Sequence, residues 1–336
     1  MIKYPLLDFP MTVGVTSPSS GVKHYLHSIL RDAIKAMNHR GHRVIETPNI
    51  WKQNKVRSDS PIKRAEEFMN LFNNDDISIV IPPWGGDLAI EILEYINYES
   101  LKTKWIMGYS DISLLLLAIT LKTGIATAHG TNFIDMRGSK MDVTTEMWTK
   151  VLSTAMYDEV TQYSSEEFQS EWDFNNPTLY VFNFSEKTSW KILGRNTEVS
   201  GRLLGGCIDV IRHLIGTEYG NIDKFQREFI NSEPILWYFE NCSLSPVELK
   251  RSIVQMKLAG WFKNCSGILF GRTSVDIAKN DYTIKDVYAE IYEELGLPII
   301  YDIDCGHLPP QMTLINGAWA EVKVVKNKGT LTQKFI

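Results

Sequence analysis

The sequence predicts an α/β fold built on a parallel sheet, and three observations support this prediction. Short apolar segments alternate with helix-patterned segments over the first 130 residues. Glycines and a serine stand where two of these apolar segments end, and a second alternating region begins near residue 199. Such alternation is typical of parallel strands covered by helices on both faces, and ligands then bind at the carboxyl ends of the strands.

The composition indicates an ordinary soluble globular protein. Its 336 residues exceed what one core usually needs, so we expect two domains. A net charge of −5 and the lack of a basic block argue against a nucleic-acid-binding role. The longest apolar run, 114–119, is too short to cross a bilayer, and residues 1–10 contain no uninterrupted apolar stretch typical of a secretory signal. Four cysteines without C-x-x-C spacing predict no metal site and reduced thiols in the cytoplasm.

The first half is predicted to alternate strands and helices in chain order. The predicted strands are 12–16, 42–45, 77–81, 105–107 and 125–129, and the predicted helices lie between 21 and 40, over 61–72, after 87, and over 112–122.

The loop after the first strand contains serines and a glycine, which could cradle a phosphate. It lacks both G-x-G-x-x-G and a Walker lysine–serine pair, so we predict a plain turn there.

A glycine pair, Gly85-Gly86, lies between the third predicted strand and the following helix. It would let the backbone approach a ligand closely and present N–H groups to an anion. The alternative is a tight turn with no ligand.

Ser110 stands where the strand 105–107 gives way to the helix 112–122. A sharp strand-to-helix turn exposes a hydroxyl and directs free helix N–H groups beside it, as a nucleophilic serine requires. Serine is also a common N-cap, and the second glycine of G-x-S-x-G is absent. From this stretch alone, both interpretations stay open.

The pattern weakens from about 130 to 195, where we predict a helix over 144–155 and a crossover into the second domain. This segment contains Trp172 and Trp190. Exposed aromatic residues here could line a pocket, although packing between domains is the alternative.

The second half is predicted to begin near 199, with Gly205-Gly206 starting a helix that runs to 215. Further strands are predicted at 234–239, 267–270 and 298–303, helices at 246–262 and 283–295, and antiparallel strands at 318–325 and 330–335. Glu240 ends the most hydrophobic strand, where a carboxylate either forms a structural ion pair or orients another group. His307 follows a strand in a Gly-His-Leu-Pro-Pro loop that restricts its mobility. The order Ser, Glu, His occurs in α/β-hydrolases.

These stretches together resemble the LD-carboxypeptidase family of serine peptidases over essentially the whole chain. The matching stretches are 57–68, Gly85-Gly86, Gly108-Tyr-Ser-Asp111, 122–125, 201–206, Glu240 and Asp304-Cys-Gly-His307. The resemblance implies that Ser110 is the nucleophile, His307 the general base and Glu240 its orienting carboxylate. It also implies that the backbone N–H groups of Gly86 and Asp111 form the oxyanion hole.

The resemblance further implies a Rossmann-like N-terminal domain (1–160), a crossover segment (161–195) and a smaller C-terminal α/β domain (196–336), with the active site at the junction. It implies no metal or cofactor, and a homodimer. The sequence of residues 57–68 most resembles that of one branch of the family. Members of this branch detoxify microcin C-type antibiotics by cleaving the amide of a peptidyl- or aminoacyl-nucleotide. That branch stacks the base on a tryptophan, for which Trp172 and Trp190 are candidates, while Trp84 and Gly85 would form part of the pocket wall.

Two other functions are compatible with the sequence. One is a cytoplasmic LD-carboxypeptidase that removes terminal D-alanine from murein tetrapeptides. The other is a non-catalytic protein that binds a nucleotide or peptide. The presence of serine, glutamate and histidine at predicted strand ends argues against this second alternative. The sequence leaves the natural substrate, the pocket tryptophan and the oligomeric state undetermined.

Overall fold

The computed structural model describes residues 1–171, 177–194, 197–275 and 278–336. Its strands are β1 (Thr12–Val15), β2 (Arg43–Glu46), β3 (Ile79–Val80), β4 (Trp105–Gly108), β5 (Thr127–His129), β6 (Glu159–Tyr163), β7 (Glu167–Phe168), β8 (Glu186–Lys187), β9 (Lys191–Leu193), β10 (Glu198–Cys207), β11 (Ile235–Glu240), β12 (Cys265–Gly271), β13 (Ile299–Ile303), β14 (Leu314–Asn316), β15 (Trp319–Val325) and β16 (Lys328–Lys334). Its α-helices are α1 (His27–His39), α2 (Pro61–Asn73), α3 (Ile112–Thr123), α4 (Val143–Leu152), α5 (Ile208–Ile211), α6 (Ile222–Phe229), α7 (Pro246–Leu258) and α8 (Ile284–Leu295).

The first sheet has the order β14-β5-β4-β3-β1-β2. Strands β1 to β5 are mutually parallel, and β14 joins the edge in the antiparallel direction. The parallel order 2-1-3-4-5 reverses between β1 and β3, and ligands bind beyond the carboxyl ends of the strands at such a switch point. Residues 16–22 and 82–87 leave the sheet at this point.

The second sheet has the order β6-β16-β15-β10-β11-β12-β13-β9. Its centre, β10 to β13, is parallel, while the strands on both sides run antiparallel. The six residues of β11 are all buried, as expected for a central strand covered on both faces. The predicted α/β class, with a parallel sheet in the N-terminal part and a second α/β part after it, is confirmed.

Each half of the chain contributes one strand to the sheet of the other half. β14 comes from the C-terminal part and pairs with β5, whereas β6 spans the predicted start of the crossover and pairs with β16. The domain boundaries at 160 and 195 stay predictions, and the pairing of β6 places residues on both sides of 160 in the second sheet.

The prediction that Gly205-Gly206 starts a helix is wrong, because both glycines lie in β10. A Cβ at Gly206 would lie 2.6 Å from the Cβ of Ser113 on α3, so glycine allows this helix to pack closely on the strand. The predicted helix to 215 is only the short α5 and a 3-10 turn at Arg212–Leu214.

The helix predicted after residue 87 is a 3-10 helix, Ala89–Tyr95. The weakly patterned region contains α4 and strands that the sequence did not reveal. Within the described residues, no helix combines the length and the apolar character needed to cross a membrane.

Candidate active site

Ser110 occupies a strained turn between β4 and α3. Its φ is +64°, in the left-handed region that non-glycine residues rarely adopt. Asp111, not Ser110, is the N-cap residue of α3. The N-cap interpretation of Ser110 is therefore excluded, and its hydroxyl lies at the carboxyl edge of the first sheet. This conformation is held by α3, in which every residue from Ile112 to Leu121 is buried.

His307 and Glu240, both from the second half of the chain, lie next to Ser110. The Nε2 atom of His307 is 3.1 Å from the Oγ atom of Ser110, and its Nδ1 atom is 2.7 Å from Oε2 of Glu240. Glu240 is fully buried, whereas the His307 side chain is 23% exposed. The geometry thus joins a partly exposed hydroxyl, an imidazole and a buried carboxylate in one chain of contacts.

Charge coupling changes the pKa values of the histidine and the carboxylate in opposite directions. Burial alone would raise the pKa of Glu240, but the neighbouring His307 and His129 outweigh it and hold that pKa well below its usual range. Burial alone would lower the pKa of His307, but the Glu240 carboxylate and Cys242 raise it well above its usual value. Glu240 is therefore the negative partner that stabilises a protonated His307.

The glycine loop and the start of α3 pack closely around Ser110. A Cβ at Gly85 would lie 2.6 Å from the Oγ of Ser110, and Gly86 has a φ of +144°. The Asp111 carboxylate accepts hydrogen bonds from the Ser19 hydroxyl at 2.5 Å and from the Ala89 N–H at 2.7 Å. Asp111 therefore ties α3 to the loop after β1 and to the segment after the glycine pair. Within the described part of the chain, no hydrogen bond is formed by the N–H of Gly86 or of Asp111.

A cleft of about 420 Å³ opens over Ser110 and His307. It lies at the switch point of the first sheet and is lined by residues Ser20, Lys23, Gln53, Lys55, Val56, Trp84, Gly85, Gly86, Asp87, Tyr109, Asn132, Ile134 and Asp135. The loop after β1, predicted to be a plain turn, contributes Ser20 to this wall. Its charged lining residues are two lysines, Lys23 and Lys55, and two aspartates, Asp87 and Asp135.

The three candidate tryptophans differ in their positions. Trp84 lines the cleft, and its Nε1 donates to the carbonyl oxygens of Ser20 and Gly21, each at 3.2 Å. Trp190 is fully buried, and its Nε1 donates to Asp304 at 2.8 Å, so the expectation that Trp190 lines the pocket is not met. Trp172 lies outside the described residues.

The network around Trp190 holds the loop that carries His307. Asp304 is fully buried, and its Oδ1 accepts from Arg272 at 2.8 Å and from the Ser165 hydroxyl at 2.5 Å. The indole of Trp190 thereby anchors the crossover segment to the residue three positions before His307. Trp190 packs into a core cluster of the second half of the chain, so it neither lines the cleft nor packs between the two halves.

The sequence did not reveal three residues of this site. Tyr109 places its ring at 5.0 Å, edge on, from that of His307, and its hydroxyl lies 3.3 Å from Asp135. Burial raises the pKa of Asp135 to about 6, an effect that Arg137 and Tyr109 partly offset. His129 is buried beside Glu240. Tyr109 could have been found from its position next to Ser110, and His129 from its position at the end of β5, but no local pattern distinguishes Asp135.

Comparison with known protein families gives matches in both halves of the chain. The profile described as "LD-carboxypeptidase N-terminal domain" matches residues 13–130, and the one described as "LD-carboxypeptidase C-terminal domain" matches residues 200–322. The chain belongs to the LD-carboxypeptidase family. It is accordingly a hydrolase of the serine carboxypeptidase type.

Relatives within the LD-carboxypeptidase family differ in their named activities. The microcin C7 self-immunity protein MccF of Escherichia coli is 25% identical, over 99% of this chain and 97% of its own. A Bacillus subtilis protein named "Probable murein peptide carboxypeptidase" is 22% identical, over 95% of this chain and 91% of its own. The structure of MccF with aspartyl sulfamoyl adenosine has the same fold, with a TM-score of 0.84, 22% identity and full coverage of both chains.

Proposed function

We propose that this protein uses a Ser110–His307–Glu240 triad to hydrolyse the amide of an aminoacyl- or peptidyl-nucleotide. The observation that carries the proposal is the chain of contacts from the Oγ of Ser110 through both ring nitrogens of His307 to Glu240. Such an arrangement activates a serine for acyl transfer.

In the proposed reaction, His307 takes the proton of Ser110 as the hydroxyl attacks the amide carbonyl. The backbone N–H groups of Gly86 and Asp111 stabilise the oxyanion that forms. His307 then donates the proton to the leaving nitrogen, and water hydrolyses the acyl-enzyme by the same route in reverse order. Glu240 fixes the orientation of the imidazole and stabilises its cation throughout.

The cleft supports a substrate with an aromatic base and an anionic linkage. Trp84 offers an aromatic surface, and Lys23 and Lys55 offer positive charge at the same cleft. The solved complex of MccF with aspartyl sulfamoyl adenosine provides the chemical precedent for an aminoacyl-nucleotide. A murein tetrapeptide is the competing substrate, favoured by the relative from Bacillus subtilis.

A product assay by mass spectrometry tests this proposal. The protein is incubated with an aminoacyl sulfamoyl-adenosine and, separately, with a murein tetrapeptide, and Ser110→Ala is the blank for each. We expect release of the free amino acid from the nucleotide substrate by the wild type only. Faster release of D-alanine from the tetrapeptide would replace the nucleotide proposal with the muropeptide one, and equal turnover by Ser110→Ala would refute the triad itself.

We further propose that the protein acts in the cytoplasm as a homodimer. All four cysteines are free thiols, as expected in a reducing compartment. Cell fractionation tests the location, and light scattering on the purified protein tests the assembly. Recovery in a periplasmic or extracellular fraction, or a mass of one chain, would contradict the respective expectation.

A further inference from the structure

His129 lies directly behind the carboxylate of the proposed triad. It is the last residue of β5 and is paired in register with Gly108 of β4, two residues before Ser110. Its side chain is fully buried, and its Nε2 is 3.9 Å from Oε1 of Glu240. The second carboxylate oxygen of Glu240 therefore faces a second histidine on the side away from His307.

Both of these facing atoms lack a hydrogen-bond partner in the described part of the chain. An ionised carboxylate that is fully buried needs partners on both oxygens, because an unpartnered buried charge is costly. Oε2 of Glu240 is satisfied by His307, which leaves Oε1 for His129. A shift of less than 1 Å would bring this pair within ordinary hydrogen-bond range.

The contact of the other ring nitrogen of His129 allows the tautomer in which Nε2 carries the hydrogen. Its Nδ1 is 3.7 Å from Sγ of Cys305, a buried residue two positions before His307. Burial raises the pKa of the Cys305 thiol well above its usual value, so the thiol retains its proton and can donate it to Nδ1. With Nδ1 as acceptor, the ring hydrogen is on Nε2, the atom that faces Glu240.

We propose that His129 is a positioning residue that donates its Nε2–H to Oε1 of Glu240 and fixes that carboxylate for His307. This inference rests on the proposed triad and extends it inward, to Cys305 and the end of β5. The ring of Tyr238 meets that of His129 edge on at 5.4 Å, which restricts its rotation. A carboxylate held from both sides keeps the imidazole aligned without having to reorganise during the reaction.

The proposal predicts the direction of a change in pH dependence. Without the donor from His129, the Glu240 carboxylate is more basic and retains the proton on His307 more strongly. The acid limb of kcat/KM should therefore move to higher pH, by about half a unit to one unit. The other titratable groups that face Glu240 or His307 are Cys207, Cys242, Cys305, Tyr109, Tyr238 and Asp135.

The test compares His129→Gln with His129→Asn. The amide nitrogen of glutamine can occupy the place of Nε2, whereas that of asparagine reaches only the place of Nδ1. We expect His129→Asn to lower kcat by about tenfold to a hundredfold, the typical effect of losing one hydrogen bond to a charged group, and to move the acid limb. His129→Gln should restore most of the rate and the wild-type limb.

Ser110→Ala separates the failure of this inference from failure of the proposed function. If Ser110→Ala is inactive while folded His129→Asn keeps the wild-type rate and limb, only the role of His129 is overturned. If Ser110→Ala remains active, the triad itself is overturned. A merely structural His129 would lower the melting temperature in both histidine variants alike without moving the limb.

Where the variants do not fold, a measurement on the wild-type protein tests whether His129 donates to Glu240. Long-range ¹H–¹⁵N correlation spectra of histidine rings distinguish the two neutral tautomers. We expect the hydrogen of His129 on Nε2. A hydrogen on Nδ1 alone would overturn the proposal, because Oε1 of Glu240 would then face no donor.

Discussion

At the scale of single residues, the site combines a partly exposed hydroxyl, that of Ser110, with the fully buried carboxylate of Glu240. His307 connects the two, and its pKa is raised mainly because the Glu240 charge outweighs the effect of burial. The local strain at Ser110, with its φ of +64°, is sustained because α3 is buried along nearly its whole length.

Removal of the proposed base should lower turnover more than removal of its orienting carboxylate. We expect His307→Ala to lower kcat by about four to six orders of magnitude and Glu240→Ala by somewhat less, because Glu240 orients rather than reacts. Steady-state assays with far-ultraviolet dichroism check both the rate and the fold. His213, which is exposed, provides the matched control His213→Ala, and near-wild-type activity in folded His307→Ala would contradict the assignment.

Activity should fall at acid pH with a pKa above the ordinary histidine value of about 6.5. A protonated His307 cannot accept the Ser110 proton, and a raised pKa moves that loss to higher pH. A kcat/KM profile from pH 5 to 9 measures it. Burial raises the pKa of Asp135 to about 6, inside the range of this profile, so the profile of Asp135→Asn is the control. A limb that disappears in Asp135→Asn would assign the titration to Asp135 instead.

At the scale of elements, the turn 82–87 depends on backbone that only glycine allows. A Cβ at Gly86 would lie 2.3 Å from the Ser19 hydroxyl oxygen, in addition to the strain of its φ of +144°. The turn lies beside the loop after β1, so a side chain at position 86 would force these two loops to move apart.

Gly86→Ala should lower kcat by about 10²- to 10³-fold, as expected when an oxyanion donor is displaced. Gly41→Ala is the matched control, because Gly41 also has a positive φ, but a Cβ added there would meet no atom within 4 Å. Both variants should lose some melting temperature, and only Gly86→Ala should lose kcat. Equal kcat values in the two variants would argue against the oxyanion role.

Trp172, which lies outside the described residues, and Trp84 of the glycine turn are the two remaining candidates for stacking a nucleobase. Stacking of a base on an aromatic side chain contributes about 1–3 kcal/mol. We therefore expect Trp172→Ala to raise KM for an aminoacyl-nucleotide by about tenfold or more, with little change for a small peptide. Trp84→Ala is the parallel variant, since Trp84 lines the cleft. Unchanged KM values in both variants would favour the muropeptide substrate.

At the scale of the whole molecule, the two sheets are joined by exchanged strands as well as by the site. β6 and β14 each lie in the sheet of the other half, and α3 packs on β10 through Gly206. Separate fragments 1–160 and 196–336 should both be inactive, because Ser110 is in one and Glu240 and His307 are in the other.

Each fragment should also be prone to association, because each leaves a sheet edge unpaired. Activity assays and gel filtration of the fragments, alone and mixed, test these expectations. Turnover by either fragment alone would refute a triad shared between the halves.

The sequence by itself determined the α/β class, the order of most strands and helices, and the residues Ser110, Glu240 and His307 as candidates. Alternating apolar patterns and glycine-rich turns are local signals, and the resemblance of several short motifs to one family added their proposed roles. Gly205-Gly206 shows where a local pattern fails, because a glycine pair fits a helix start as well as a strand against which a helix packs closely.

Only the tertiary structure decided which groups meet. The sequence predicts Trp190 as a candidate for lining the pocket, but its indole N–H donates to the buried Asp304 and its ring is fully buried in the core. His129 is 111 residues from Glu240 in the chain, yet the end of β5 brings their side chains within 3.9 Å. The contacts that orient the site join β5, β11 and the loop after β13. These segments are far apart in the chain and meet only because the two sheets pack together, so no pattern within one segment could predict the contacts.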